Sequence, residues 1–215
     1  MNDRPDTQLR RLPERGSEDF ATACAIIDEA RIGHLGFCLG QIPYVVPMAL
    51  GRDGSQLLLH GSVASRAMQH LGDGHPCCVT VTHLDGLVLA RSAFHSSMNY
   101  RSVMIFGTAR LITDKADKSH ALDRLVDHLL PGRLAELRGT TRKELDATAL
   151  LSLPIETFSV KLRSGPPNDP QADLRQPVWA GVVPLAMTRG APESAPDLVP
   201  GIEAPAYVED WYPER

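Results

Sequence analysis

A chain of 215 residues suffices for one full-sized core and is cramped for two. Its 26 acidic residues outnumber 22 basic ones, and the formal charge of −4 argues against a polyanion-binding surface, so neither nucleic acid nor a membrane is an expected partner. No run approaches the roughly 20 apolar residues of a membrane helix, and the polar opening Met1-Asn2-Asp3-Arg4 lacks the apolar core of an export signal. A cytoplasmic location is expected. Cys24, Cys38, Cys77 and Cys78 lack a disulfide or C-x-x-C spacing and are expected to be buried thiols.

Residues 1–16 are charged and contain Pro, with little to bury, and predict a flexible arm ahead of a main domain over 17–185. After Ser17 and an acidic first turn, Phe20, Ala23, Cys24, Ile27 and Ala30 fall at helical spacing, which predicts an amphipathic helix of about four turns. Ile32 to Leu39, Ile42 to Leu50 and Gln56 to His60 predict antiparallel strands, with a tight turn at Asp53-Gly54. Val63 to Leu71 reads as a short helix. Cys77 to His83 and Leu87 to Ser92 read as a strand pair folded at Asp85-Gly86. Tyr100 to Thr113 is the longest strand candidate, with Gly107 marking a bulge or a close approach. Asp114 to Leu130 and Arg142 to Leu151 have helical spacing, and Ile155 to Leu162 returns to strand. From Ser164 onward Pro is dense. Val178 to Pro184 is an apolar island that should pack on the main domain, and residues 186–215 form a Pro-rich tail expected to be extended. Short strands with helices inserted between pairs predict a mainly β fold, a closed antiparallel barrel with peripheral helices. The β–α alternation and G-x-G-x-x-G turn of a dinucleotide-binding sheet are missing.

Leu57-Leu58-Leu59-His60-Gly61-Ser62 reads as a strand ending in a turn that opens a helix, and such a corner aims free backbone N–H groups at one spot. Two readings fit it. Ser62 is a plain N-cap with Arg66 solvated, or Ser65 and Arg66 supply a hydroxyl and a guanidinium fork to a phosphate, with Gly61 allowing close approach and His60 a ring contact. Arg101 and Ser102 are neighbours in a strand and point to opposite faces, so one phosphate cannot be addressed by both in a regular strand. The histidines are scattered without metal-ligand spacing, so no metal site is expected, and no G-x-S-x-G elbow is present. Trp179 reads as a packing anchor or a ligand contact.

Pro43-Tyr44-Val45-Val46-Pro47-Met48, His60-Gly61-Ser62-Val63-Ala64-Ser65-Arg66, Asn99-Tyr100-Arg101-Ser102-Val103 with Gly107, and Ser159 to Arg163 followed by Trp179 to Pro184 together resemble one family. The likeness is to the pyridoxamine 5′-phosphate oxidase-like FMN-binding split-barrel proteins, in the flavin-nucleotide-binding and 5-nitroimidazole-resistance-like branch. The resemblance implies an antiparallel split β-barrel that forms a homodimer, with FMN in a groove at the subunit interface. It places Val46, Pro47 and Met48 along the isoalloxazine, and Ser65 with Arg66 on the phosphate beside His60 and Gly61. It brings Tyr100, Arg101 and Ser102 to the flavin from the same or the other subunit, and lays Trp179 over it. Flavin-mediated electron or hydride transfer to a small-molecule substrate follows, with a donor such as NAD(P)H. The Arg/His-rich motif that grips vitamin B6 is missing from Tyr207 to Arg215, and Ala67 stands where the family often carries Lys. Alternatives are a non-catalytic flavin carrier or sensor, and a haem-binding split barrel ligated through His60 or His95.

Overall fold

The computed structural model describes residues 5–210, leaving the ends of the arm and of the tail, 1–4 and 211–215, outside the described residues. A two-residue strand, β1 (Gly16–Ser17), precedes α1 (Phe20–Glu29). The helix begins at Asp19, whose carboxylate accepts the Thr22 N–H at 2.8 Å, and runs for ten residues, shorter than its apolar spacing predicts. It buries Ala23, Cys24, Ile26 and Ile27. Next come β2 (Ile32–Leu39), β3 (Ile42–Asp53), β4 (Gln56–Ser62) and α2 (Arg66–Gly72). Gly54 has φ +55° in the β3–β4 turn, a left-handed conformation that favours glycine.

Two sheets share this chain. The first runs β1, β9, β6, β5, β2 and the first part of β3; the second runs the last part of β3, β4, β8 and β7. Here β5 is Pro76–Leu89, β6 Ser97–Thr108, β7 Arg110–Leu111, β8 Thr148–Pro154 and β9 Thr157–Arg163. Every pairing is antiparallel. The expected closed ladder is not found: β1 and β7 end it unpaired with each other. Chain continuity completes the circuit instead, because β3 passes between sheets after Ala49 and the β6–β7 stretch passes at Ala109. This is a split barrel.

Two local expectations are corrected, and one left open between two alternatives is decided. Asp85-Gly86 is not a turn: β5 is one strand of 14 residues, with a bulge between Leu84 and Gly86. Gly86 admits β10 (Gly181–Pro184), since a Cβ there would lie 3.0 Å from the Val183 carbonyl oxygen. Thus the apolar island of the tail packs as a strand, along the stretch of β5 that β2 does not reach. Gly107 pairs regularly with Cys77 and marks a close approach, a Cβ there lying 3.1 Å from Leu153 Cδ1. Finally, the helix expected to reach Leu151 ends as α4 (Arg142–Ala147), because Ala149, Leu151 and Leu153 alternate inward as β8.

The main core lies inside the barrel, where Ile27 from α1 meets Leu35, Leu57, Leu59, Val79, Ile105, Leu151 and Leu153. Each such side chain contributes about 1.5–3 kcal/mol of burial. A second cluster lies outside: α3 (Lys115–Leu129) sets Ala121 and Leu125 against Leu58 and Leu150. Cys24 and Cys77 are buried as expected, while Cys38 is exposed and Cys78 half-buried. In the tail, α5 (Ala206–Asp210) places Tyr207 against Gly132, and the Tyr207 hydroxyl donates to Glu136 at 2.6 Å.

Candidate functional site

The feature that organises the site is the parting of β3 from β4. β3 pairs with β2 over Ile42–Ala49 but with β4 only from Leu50 to Asp53. Beyond Leu50 and Leu59 the two strands diverge, so one edge of residues 42–49 faces no strand among the described residues. Pro43 and Pro47 are tolerated here because an edge does not need every ladder donor. The lip is apolar and open, with Val45 68% and Val46 39% exposed; Pro47 is exposed and Met48 reaches back towards the core.

His60 and Gly61 form the opposite lip, on β4. His60 follows Leu58 onto the outer face of the barrel, opposite Leu150; it is half-buried and its Nδ1 has no partner. Desolvation holds its pKa below the usual 6.5. Gly61 serves packing, since a Cβ would lie 2.9 Å from Met68 Cγ and push α2 off the strand. Ser62 does not open the helix. It accepts the Ala64 N–H at 3.1 Å within a turn, and the N-cap is Ser65, whose hydroxyl makes no capping bond. Arg66, the first helical residue, is exposed and has no hydrogen bond or ion pair among the described residues. Seven residues make a short helix with a short dipole, so the attraction for an anion comes from the guanidinium and the unspent hydroxyl.

Seven of the eleven residues anticipated from the sequence therefore line or adjoin one gap. The other four lie elsewhere: Tyr100, Arg101 and Ser102 are on β6, with β5 and β2 between it and β3, and Trp179 stands just before β10. Arg101 on β6 has all three of its guanidinium nitrogens engaged by carboxylates. Its Nε and Nη2 donate to Asp85 at 3.0 and 2.8 Å, Nη2 also to Glu29 at 2.9 Å, and Nη1 to the other Glu29 oxygen. Those bonds hold the Glu29 carboxyl below its ordinary range. Ser102 donates to the Lys161 carbonyl at 3.3 Å, and Tyr100 pairs with Leu84 and Arg163. Trp179 is 65% exposed and lies over Gly181, where a Cβ would be 2.8 Å from Cζ2.

Sequence reasoning missed three groups here. Glu29 and Asp85 enclose Arg101 from 72 and 16 residues away, a separation that no local pattern encodes. Asp169, its side chain 1% exposed, accepts both the Arg91 backbone N–H at 2.9 Å and Arg91 Nη1 at 2.8 Å, fastening the segment before Trp179 to the end of β5. His70 and His75 stack with ring centroids 4.0 Å apart, and Phe37 lies 5.9 Å from His70; the i, i+5 spacing across a helix end gave no signal.

An antiparallel barrel parted between β3 and β4, with two sheets joined through shared strands, belongs to the split-barrel class. The family described as pyridoxamine 5′-phosphate oxidase matches residues 19–162, and the chain belongs to it. Among solved structures, the flavocytochrome Anf3 from Azotobacter vinelandii is 39% identical, with 95% of each chain covered and a TM-score of 0.89. The FAD and heme binding protein from Mycobacterium smegmatis is 41% identical, covering 91% of this chain and 96% of that one, with a TM-score of 0.87. A chain described as a 5-nitroimidazole antibiotic resistance protein, from Bacteroides thetaiotaomicron, is 25% identical over 68% of this chain and 85% of that one, at a TM-score of 0.57. No curated protein matches.

Proposed function

We propose that this chain is a flavin-dependent oxidoreductase whose cofactor lies in the gap between β3 and β4. The observation that carries the reading is the free edge of β3 over 42–49, followed in the chain by an exposed arginine at the start of α2 that has no hydrogen bond or ion pair among the described residues. A flavin needs a flat, largely apolar slot with a few backbone groups at its polar rim and a cation at its phosphate. Val45, Val46 and Pro47 supply the slot; Ser65 and Arg66 supply the phosphate seat. When bound, the flavin supplies electron or hydride transfer, while the protein orients it and limits access. Membership of an oxidase family, and likeness across nearly the whole chain to a flavocytochrome and to a FAD and heme binding protein, support this reading.

The same resemblance to the family supports a homodimer. Val45, Leu84, Met98 and Trp179 are exposed apolar groups on strands or strand ends, and a second copy covering them would bring Tyr100, Ser102 and Trp179 of one protomer towards the gap of the other. A cytoplasmic setting, a small-molecule substrate and NAD(P)H as donor remain part of the proposal. Among the described residues no helix is long and apolar enough to cross a membrane.

A second reading adds haem, favoured by the likeness to a FAD and heme binding protein and to a flavocytochrome. Haem iron asks for one or two axial ligands. His60 has a buried Nδ1 without a partner, and His95 lies edge-on to Phe94, which is 87% exposed. The absorption spectrum of the purified protein tests both readings. Flavin bands that bleach with NAD(P)H or dithionite and recover with an oxidant faster than free flavin are expected. A Soret band that His60→Ala or His95→Ala abolishes assigns the second group. A colourless protein that takes up no flavin refutes the proposal, and bound flavin turning over no faster than free flavin reduces it to a carrier or sensor.

A further inference from the structure

The outer face of the first sheet carries a polar block that the β3–β4 gap does not use. β6 and β9 pair Tyr100 with Arg163 and Ser102 with Lys161, and directly paired residues share a face, their Cβ atoms roughly 5 Å apart. Phe158, Val160 and Leu162 turn in to the core, so Lys161 and Arg163 turn out. β1 extends the block along the sheet edge: Gly16 pairs with Lys161, and Arg15, last residue of the 3-10 turn Pro13–Arg15, stands immediately before it.

These cations have no carboxylate partner among the described residues. The side chains of Arg15 and Lys161, both half-buried, make no hydrogen bond or ion pair there, and neither does the half-buried Tyr100 hydroxyl. Arg163 donates only to neutral oxygens, Asn99 Oδ1 and the Gly165 carbonyl through Nη1 and the Pro166 carbonyl through Nη2. Burial, and after it the charge of Arg15, lower its pKa from the ordinary value. Glu14 and Glu18, on either side of Arg15 in the chain, are exposed and pair with none of the three. In a chain of formal charge −4, gathering like charges without a counter-charge works against folding, and local conflicts of this kind mark functional sites.

We propose that Arg15, Lys161 and Arg163, with the Tyr100 hydroxyl, hold the carboxylate of an acidic small-molecule substrate. The inference rests on the flavin reading, in which a second copy sets this face of one protomer against the gap of the other, and deepens it by naming the substrate's chemical class. The planar fork of Arg15 matches the two oxygens of a carboxylate, and Lys161 acts beside it as a point charge. Tyr100 donates a further hydrogen bond. Arg163, its Nη groups already spent on neutral oxygens, adds charge. The uncharged end of the substrate then points towards the flavin of the other copy.

Calorimetric titration of the flavin-loaded protein with benzoate, and separately with inorganic phosphate, tests the site at an ionic strength held constant with sodium chloride. Benzoate should bind saturably. Arg15→Gln and Lys161→Gln remove no protein contact, and each should weaken benzoate by roughly three- to tenfold while flavin affinity is unchanged. A kinetic arm then separates a substrate site from a bystander. With the bound flavin reduced by stoichiometric dithionite, each naphthoquinone takes two electrons and two protons to become the hydroquinone. Lys161→Gln should slow reoxidation by a carboxylated naphthoquinone by the same factor and leave the unsubstituted naphthoquinone unaffected. Benzoate heats no different from those of chloride, binding of phosphate alone, or variants that slow both quinones alike or neither, overturn the assignment while the flavin reading stands. Flavin affinity falling with benzoate affinity gives these cations to the cofactor and overturns it as well. A protein that takes up no flavin fails the flavin reading, and the calorimetric arm still decides the carboxylate site.

Discussion

Arg66 is legible in the sequence because its context is local: a strand, a Gly-Ser turn and a helix start lie within seven residues, His60 to Arg66. Its charge-assisted contact sets the expected effect of Arg66→Ala, a loss of about 1.5–3 kcal/mol in flavin affinity by titration. Arg101 looked equivalent from sequence and is not. Its guanidinium is engaged by Glu29 and Asp85, so Arg101→Ala should loosen the α1–β5–β6 contact more than it weakens flavin binding. Gly51 gives a sharper packing test. A Cβ there would lie 2.9 Å from Leu125 Cδ2 and 3.2 Å from Leu125 Cα, and a helix backbone cannot rotate aside as a side chain can. Gly51→Ala should lower stability by about 1–3 kcal/mol in a urea melt. At Gly61 the obstacle is the flexible end of Met68, and the same substitution should cost less.

At the scale of elements, periodicity located almost every strand, and its errors are instructive. Asp-Gly between two apolar runs is the usual hairpin signal, yet at 85–86 the chain runs straight on, because β10 pairs along the far side and needs a residue without a side chain at its crossing. That partner comes from a segment about a hundred residues later, outside any local window. Similarly, Arg142 to Leu151 satisfies helical spacing, but from Ala149 onward the barrel interior selects every second side chain. The strap that carries Trp179 was invisible for the same reason: Arg91 and Asp169 are 78 residues apart. Replacing Asp169 with Ala should free residues 164–180 and raise their rate of limited proteolysis, with little change in the β2–β5 core. Unaltered cleavage would show that β10 alone holds the segment.

For the whole molecule, acid sensitivity follows from two imidazoles. Burial is the main cause that lowers the pKa of both His60 and His128 from 6.5, although His128 Nε2 also donates to the Ala30 carbonyl at 2.8 Å. Below 6.5 the unfolded chain takes up protons that the folded chain resists, so stability present at neutral pH declines as pH falls through the folded values. Denaturant midpoints on either side of 6.5 measure the slope, and His60→Leu should make it shallower. A last consequence follows from the passage of the Ser97–Leu111 stretch out of one sheet and into the other at Ala109. With β3 making a second such passage, each sheet borrows a strand from its neighbour. Neither can fray to completion while the other survives, and the molecule should melt in a single step, as a knot of two shared threads would loosen, all at once.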